Sequence, residues 1–286
     1  NERGSLALKS SIERESFLRL SAPLLQDEEE EVEEEVIVNV PRDSEKSIAV
    51  PYASLRGVYA HYVALGWLNG IAISTAFAYC YYGQGGSANT CTALPSFFQL
   101  AWSFKFVLGA VQDATPLGGL RRAPYVVGGW SVCCGLGAVL AAFADDLSML
   151  GYAGLVCGLE CFMVTADTAC DALVVGLTKV EGEDVRGSIL ANAYSCRFSA
   201  AMLSSAAIAV LYDGKDQGGT MPFALSLRTW WAVGVAPAAV FLLTGTFNTL
   251  KDAEKALIEP EARPSVAEAF GQFRECLKRP AAHRGG

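Results

Sequence analysis

The sequence predicts an all-α membrane protein with six transmembrane helices. Hydrophobic residues make up 52% of the chain, and between residues 57 and 248 the charges are confined to short intervals. The apolar stretches between them are about twenty residues long, which is the length that an α-helix needs to cross roughly 30 Å of hydrocarbon. They are apolar on every helical face, whereas a helix of a soluble domain would keep one polar face. Strands are not expected, because the segments are too long and unbroken for barrel strands and lipid offers no water to a sheet edge.

The first 50 residues form a separate, polar region that precedes the spans. It contains an almost continuous acidic block from Asp27 to Glu35 and contributes most of the net charge of -8. A run of like charges with few apolar residues cannot offset the entropy of ordering, so we expect a disordered cytosolic tail at residues 1–50. The tail lacks the basic-then-apolar order of a signal peptide and is too acidic for a typical transit peptide. The chain also has no stripe of clustered basic residues, which argues against nucleic acid as a partner.

Hydropathy and helix-breaking residues divide residues 51–250 into six spans joined by short loops. Residues 251–286 are polar again, with Phe270, Phe273 and Leu277 at near-helical spacing, and are predicted to be a cytosolic linker or an amphipathic segment. The six predicted spans are 57–80, 95–113, 123–144, 148–178, 187–212 and 228–248.

The basic residues near the span ends predict the orientation. Loop 114–122 carries Arg121 and Arg122, and loop 179–186 also carries cations, whereas loop 81–94 has none. Because Lys and Arg accumulate on the cytosolic side of a membrane, both termini are expected in the cytosol. An even number of spans agrees with this. The sequence does not indicate which membrane holds the protein.

Charged residues lie well inside three of the predicted spans, where each costs about 2.5–3.5 kcal/mol on insertion scales. Lys105 is in the second span and Arg197 in the fifth. The fourth span contains Glu160, Asp167 and Asp171, whose spacing of seven and eleven residues places all three on one helical stripe. That stripe must face protein or water.

The rise of about 1.5 Å per residue gives the depth of these groups. Lys105, Asp167 and Arg197 fall at a similar level near the midplane, with Glu160 farther toward the outside and Asp171 near the cytosolic mouth. Two cations beside one acid predict a positive surplus that suits an anionic substrate. Alternatively, Asp167 only neutralises one cation as a packing pair. Glu160 has no obvious partner, and an isolated carboxylate in a membrane is a candidate proton carrier.

Polar and aromatic neighbours extend the candidate binding site. Trp102 lies one turn before Lys105, and Asn192 is spaced seven residues from Ser199 in the fifth span. Such side chains could hold a planar heterocycle, or they could serve as interhelical packing and hydrogen-bonding groups.

The nine cysteines do not form a predicted metal site. Most lie in apolar runs, where cysteine acts as a small hydrophobic residue, and no further ligand completes a zinc set. Cys80 and Cys91 differ because they flank one polar loop. We expect a disulfide between them if that loop faces an oxidising compartment.

A motif after the second span resembles a known family. It contains Trp102, Lys105, Gly109, Asp113, Pro116, Gly119, Arg121, Arg122, Pro124 and Tyr125. The glycine–aspartate start and the paired arginines resemble the cytosolic loop signature between the second and third helices of the major facilitator superfamily. The finer spacing looks like the folate–biopterin transporter family, as do Ala166-Asp167, Asp171 to Val175 and Arg197. The resemblance covers roughly residues 55–250.

The resemblance implies a carrier of folate, biopterin or a related pteridine that works by alternating access, with proton coupling proposed for some members. On this hypothesis the two cations of the spans, Lys105 and Arg197, bind the anionic end of the substrate, and Asp167 poises them. Members of the family usually have twelve spans in two six-helix halves around a central cavity. We therefore expect this chain to be an N-terminal half or fragment, or a half-transporter that pairs with a second copy. The isolated half is not expected to transport.

The loop motif further predicts a cytosolic gate formed by Gly109, Asp113, Pro116, Gly119, Arg121, Arg122 and Asp171. The glycines would let helices approach closely, and Asp113 would face the positive end of a neighbouring helix. Arg121 or Arg122 is expected to reach Asp171 or Glu181. Contacts of this kind form in one rocking state and break in the other.

Other functions remain as alternatives. A carrier of another organic anion and a non-transporting six-helix scaffold or receptor both fit the spans. An intramembrane aspartyl protease would need aspartates on two facing helices, but Asp167 and Asp171 share one helix. We expect no enzyme, cofactor or metal, because the sequence has no serine–histidine arrangement, phosphate loop or metal cluster; His61 and His283 are far apart in sequence without a cluster around them.

Overall fold

The computed structural model describes residues 52–182, 185–215, 219–257 and 271. Every regular element within these residues is a helix, so the predicted all-α class is confirmed for the described part of the chain. The predicted disordered tail at residues 1–50 lies outside the described residues, as does most of the predicted segment 251–286.

The helices follow the predicted order of spans with two interruptions. A π-helical turn, Tyr79–Gly83, extends the first helix, and two short 3-10 segments, Gln99–Phe104 and Thr246–Asn248, interrupt the second and sixth spans. The α-helices are α1 Tyr52–Ala78, α2 Ala88–Phe98, α3 Lys105–Ala114, α4 Ala123–Phe143, α5 Met149–Lys179, α6 Ser188–Leu211, α7 Leu227–Leu243 and α8 Thr249–Leu257.

Five helical runs among the described residues are long and apolar enough to cross a membrane. A sixth follows if the pair Leu227–Leu243 and Thr246–Leu257, bent by 59°, is counted as one span. The bend lies at the break that contains Gly245, whose φ of 69° is in the left-handed region that glycine adopts readily. The five runs are Leu55–Gly83, Ala88–Ala114, Ala123–Asp146, Met149–Lys179 and Ser188–Leu211.

The second span differs from its predicted bounds. It begins at Ala88 and not at residue 95, because the Ser87 hydroxyl accepts a hydrogen bond from the Thr90 N–H at 3.3 Å and caps the helix. Pro95 therefore lies inside α2 and does not mark its start. The 3-10 segment Gln99–Phe104 follows α2 within the same span. Non-α-helical backbone inside a membrane is tolerated where protein or a water-filled cavity covers it. The 3-10 segment that follows α2 carries Trp102 toward α5, as described below.

Helix α1 packs closely against α6 at two glycines. A Cβ atom at Gly66 would lie 2.0 Å from the carbonyl oxygen of Arg197, and one at Gly70 would lie 2.1 Å from Ser204 Oγ. Small residues at such crossings let helix backbones approach without steric conflict. This contact sets the height of Arg197 along the bundle relative to α1. Arg197 is one of the residues of the candidate site.

The outer faces of α3 and α6 are apolar and exposed. Phe106 on α3 and Phe198, Met202 and Leu203 on α6 are all exposed. Exposed apolar side chains on long helices are what a hydrocarbon environment requires. The fold is therefore compatible with a multi-pass integral membrane protein.

One end of the bundle is tied together by a disulfide and by polar contacts. Cys80, in the turn after α1, is disulfide-bonded to Cys91 of α2, the pairing that the sequence suggested on condition that this loop faces an oxidising compartment. The Tyr79 hydroxyl donates to the Leu147 carbonyl at 3.0 Å, so the loop before α5 meets this end as well. Arg228, at the start of α7, pairs with Asp145 at 3.2 Å. The predicted outward loops thus lie together, as alternating spans require.

We expect the Cys80–Cys91 disulfide to form in the isolated protein and to stabilise it. A loop of this length contributes about 2–3 kcal/mol by restricting the unfolded chain. After all free thiols are blocked, reduction should release two further thiols, and the double variant Cys80→Ser, Cys91→Ser should release none. Equal thiol counts for the unreduced and reduced protein would contradict the disulfide.

Candidate functional site

The candidate site is a cluster of charged side chains at the middle of the bundle, with Asp167 of α5 at its centre. The Asp167 side chain is fully buried, and its Oδ2 accepts a hydrogen bond from Lys105 Nζ of α3 at 2.5 Å. Its Oδ1 lies 3.8 Å from Arg197 Nη1 of α6 and 3.5 Å from His61 Nε2 of α1. The predicted proximity of Lys105 and Arg197 to Asp167 is therefore found, and His61 of the first span joins them.

Asp171 also belongs to this cluster. Its Oδ2 accepts from Lys105 Nζ at 2.7 Å, and its Oδ1 accepts from the Tyr62 hydroxyl of α1. Because Asp171 follows Asp167 by four residues, both carboxylates face the same side of α5 and one long lysine reaches both. Asp171 thus contacts Lys105 and Tyr62 in this structure, and its predicted role in the gate at the cytosolic mouth stays a prediction.

The charge balance of the cluster differs from the prediction. Two cations, Lys105 and Arg197, face two carboxylates, Asp167 and Asp171, so the expected positive surplus is absent. The packing-pair alternative describes Asp167 and Lys105 well. The side chains of Lys105, Arg197 and Asp171 are 29%, 17% and 25% exposed, whereas Asp167 is fully buried, so both cations and one carboxylate lie at the accessible edge of the cluster.

Trp102 connects the cluster to Glu160. Its ring lies 4.7 Å from the Arg197 guanidinium and 5.3 Å from the Lys105 ammonium, which are cation–π distances. Its indole N–H donates to Glu160 Oε2 at 3.1 Å. Glu160 is fully buried, and its Oε1 has no hydrogen-bond partner among the described residues. Trp102 thus spans the distance between the cluster and a carboxylate that is only half satisfied.

His61 is the main residue that the sequence analysis missed. It is fully buried in α1, and its Nδ1 accepts a hydrogen bond from the Trp130 indole N–H of α4 at 2.9 Å. The expectation that no cluster surrounds His61 is therefore wrong. The signal was present, because an ionisable side chain inside a predicted span needs the same explanation as Lys105 or Asp167. Tyr62, its neighbour on α1, also reaches the cluster.

Asn192, a predicted binding residue, does not join the cluster. It is exposed on α6. It precedes Arg197 by five residues, which turns it about 140° around the helix from the guanidinium.

The predicted gate has different contacts from those expected. Arg122 forms an ion pair with Asp113 across the loop between α3 and α4, and does not reach Asp171 or Glu181. The loop folds back on itself, which brings Arg122 close to the end of α3, while Asp171 is already occupied by Lys105. The loop amides are held by Glu254 of α8, whose carboxylate accepts from the backbone N–H groups of Arg121 at 2.5 Å, Arg122 at 3.0 Å and Ala123 at 2.8 Å.

The two gate glycines and the proline have separate local roles. Gly119 has a φ of 82° in the turn between α3 and α4, so it serves the turn and not a close approach of helices. A Cβ atom at Gly109 would lie 3.5 Å from Thr168 Cγ2 of α5, which is an ordinary contact. Pro116 follows the end of α3 by two residues, a common position for proline.

Glu181 caps α6 and is not a gate partner of the arginines. Its carboxylate accepts from the backbone N–H groups of Gly187 at 2.5 Å and Ile189 at 2.8 Å, and from the Ser188 hydroxyl at 2.8 Å. Partial desolvation acts in the opposite direction, but these hydrogen bonds hold the pKa of Glu181 below its ordinary value. The carboxylate thereby satisfies amides that the start of a helix leaves without partners.

Comparison of the chain with known protein families, with curated proteins and with solved structures found no match. The class of protein therefore rests on its own residues: apolar helices of membrane-spanning length around buried charges. Among the described residues, no group of histidine, cysteine, aspartate and glutamate side chains is arranged to hold a metal ion.

We expect Asp167→Asn to destabilise the protein more than Asp171→Asn. Removing one partner of a buried ion pair costs about 3–5 kcal/mol, because the remaining charge is left without compensation. Asp171 is 25% exposed, so water can replace its contacts and the loss should be nearer 1 kcal/mol. Thermal unfolding in one detergent measures both variants. An equal or smaller loss for Asp167→Asn would contradict its central position.

We expect Glu181→Ala to lower the free energy of unfolding by about 1 kcal/mol at neutral pH through loss of a helix cap. Because the pKa of Glu181 is depressed in the folded state, its stabilisation is present above the ordinary glutamate value of about 4.3. It is lost as the pH falls through the folded-state pKa. The difference from wild type should therefore shrink in acid. Glu181→Gln, which keeps an acceptor without the charge, is the control.

Proposed function

We propose that the chain is the six-helix half of a secondary transporter that carries folate, biopterin or a related pteridine by alternating access, coupled to protons. The observation that carries the proposal is the buried cluster in which side chains from α1, α3, α5 and α6 meet around Asp167. Ionisable groups inside a membrane are expensive, and they are typical of substrate and ion pathways.

The arrangement of the ion pairs supports a moving site. Lys105 contacts Asp167 and Asp171, one helical turn apart, at 2.5 and 2.7 Å. A small shift of α3 along α5 could favour either carboxylate at little cost in ion pairing. Discrete exchange of interhelical partners is how packed helices convert small movements into two states.

Arg197 is the cation best suited to hold the anionic end of a substrate. Lys105 is bound by two carboxylates, whereas Arg197 has one ion pair, at 3.8 Å, and a partly exposed guanidinium. A guanidinium offers five N–H donors in a planar fork, so Arg197 retains donors for a ligand carboxylate. The Trp102 ring beneath it supplies a flat apolar surface. The choice of a pteridine as the substrate comes from the resemblance of the loop after α3 to the folate–biopterin transporter family, and not from the charges.

Glu160 is the proposed coupling residue. One of its oxygens accepts from Trp102, and the other has no partner among the described residues. A proton on that oxygen would remove the charge that burial disfavours. Because Trp102 also touches Arg197, the protonation of Glu160 can influence the cation that holds the substrate.

A non-transporting scaffold is the second candidate, and the balanced charge of the cluster favours it. Two cations and two carboxylates that satisfy each other could serve only to lock the helices together. A carrier of another organic anion would use the same cations. Transport assays separate these possibilities.

We expect a host that lacks folate transport to take up labelled folate when it produces the complete protein, including any second half. Arg197→Gln should reduce uptake at least tenfold, because the ligand carboxylate loses its main donor. Arg186→Gln, an exposed arginine outside the spans, is the matched control and should leave uptake unchanged.

Two further variants sharpen the assay. Glu160→Gln should leave an uptake that no longer responds to a pH gradient. Normal uptake after neutralising both Lys105 and Arg197 would refute the binding assignment. Correct membrane insertion of every variant without any uptake of folates or other organic anions, wild type included, would favour the scaffold.

A further inference from the structure

The two nitrogens of His61 face partners of opposite kind. The Trp130 indole N–H can only donate, and it lies 2.9 Å from His61 Nδ1. That nitrogen must therefore present its lone pair and carry no hydrogen. The other nitrogen, Nε2, faces Asp167 Oδ1 at 3.5 Å, and an ionised carboxylate can only accept.

We propose that Trp130 fixes His61 as the neutral tautomer with its hydrogen on Nε2, and that His61 in turn positions Asp167 as a permanent carboxylate. His61 then acts as a donor and not as a proton carrier. The proton that is coupled to transport would then bind to Glu160 and not to His61 or Asp167. This last step rests on the proposed function and deepens its assignment of Glu160, whereas the tautomer does not depend on transport.

The charged groups around His61 support the neutral ring. Asp167 and Asp171 approach from α5, Lys105 from α3 and Arg197 from α6, and their charges already cancel. Tyr62 lies beside His61 on α1 with its ring edge-on at 5.1 Å, and α4 contributes only the uncharged Trp130. A proton on Nδ1 would add a third cation and would set two donors, the imidazolium and the indole, against each other.

Asp167 differs from the other acids of the site in its partners. It faces three potential donors on three helices: Lys105, Arg197 and His61. Glu160, by contrast, accepts from Trp102 alone among the described residues and leaves Oε1 without a partner. A proton arriving at the site would break contacts at Asp167 but would fill an empty acceptor position at Glu160.

The sequence makes the tautomer measurable, because the chain contains only two histidines. In the variant His283→Gln, labelled with nitrogen-15 histidine, the ring signals come from His61 alone. We expect a pyrrole-type Nε2 and a pyridine-type Nδ1 at neutral pH, as the two hydrogen-bond partners require. A doubly protonated ring or a hydrogen on Nδ1 under these conditions would overturn the proposal.

Trp130→Phe in the same background tests the cause. The variant keeps an aromatic ring and removes the donor, so the His61 signals should shift toward a mixture of tautomers. Trp230→Phe is the matched control, because Trp230 is buried in α7 and its Nε1 has no partner among the described residues. Signals that are identical in wild type and Trp130→Phe would overturn the role of Trp130.

The positioning role of His61 has its own readout. His61→Gln can place an amide N–H near the position of Nε2, whereas His61→Leu removes the donor. In the folate uptake assay, His61→Gln should retain several-fold more activity than His61→Leu. Equal activities in the two variants would overturn the positioning role. If the wild type itself shows no uptake, the proposed function fails, and the spectra still decide the tautomer.

Discussion

The buried carboxylate of Asp167 is the constraint on which the rest of the structure depends. An ion in a low-dielectric interior costs several kcal/mol unless partners surround it, and Asp167 has no exposed surface at all. Its partners Lys105, Arg197 and His61 come from three other helices. Those helices must therefore meet α5 at one level. The cluster thus determines how the helices are aligned along the bundle, in addition to the chemistry of the site.

The packing around the cluster consists of contacts that leave little freedom. Gly66 has no side chain where α1 crosses α6, so the backbone carbonyl of Arg197 can approach α1 closely. The guanidinium of Arg197 lies 3.8 Å from Asp167 of α5. On the opposite side, α4 supplies Trp130 to His61. At the two ends of the bundle, the Cys80–Cys91 disulfide and the Glu254 carboxylate hold the connecting segments. These contacts surround the small group of charged side chains on every side that the described helices provide.

The proposed function depends on how the charges are distributed and not on their sum. The cluster is neutral, so a net positive field would not attract the proposed substrate, and a purely structural cluster is the competing interpretation. Its cations and Asp171 are partly exposed, whereas Asp167 is enclosed. A fixed anion beneath accessible donors can orient those donors toward an incoming carboxylate. The half-satisfied Glu160 supplies a place for a proton at a distance that Trp102 bridges.

The sequence by itself determined the helical class, most span bounds and the stripe of acids on α5, because hydropathy and helical period are local properties of the chain. It also identified Cys80 and Cys91, which flank one short loop. Only the tertiary structure decided the partners: Asp171 with Lys105, Arg122 with Asp113, and His61 between Asp167 and Trp130. It also decided that Glu254 would hold the start of α4. Most of these pairs are separated by more than fifty residues in the chain, and their meeting depends on how each helix is rotated and packed, which no local pattern records.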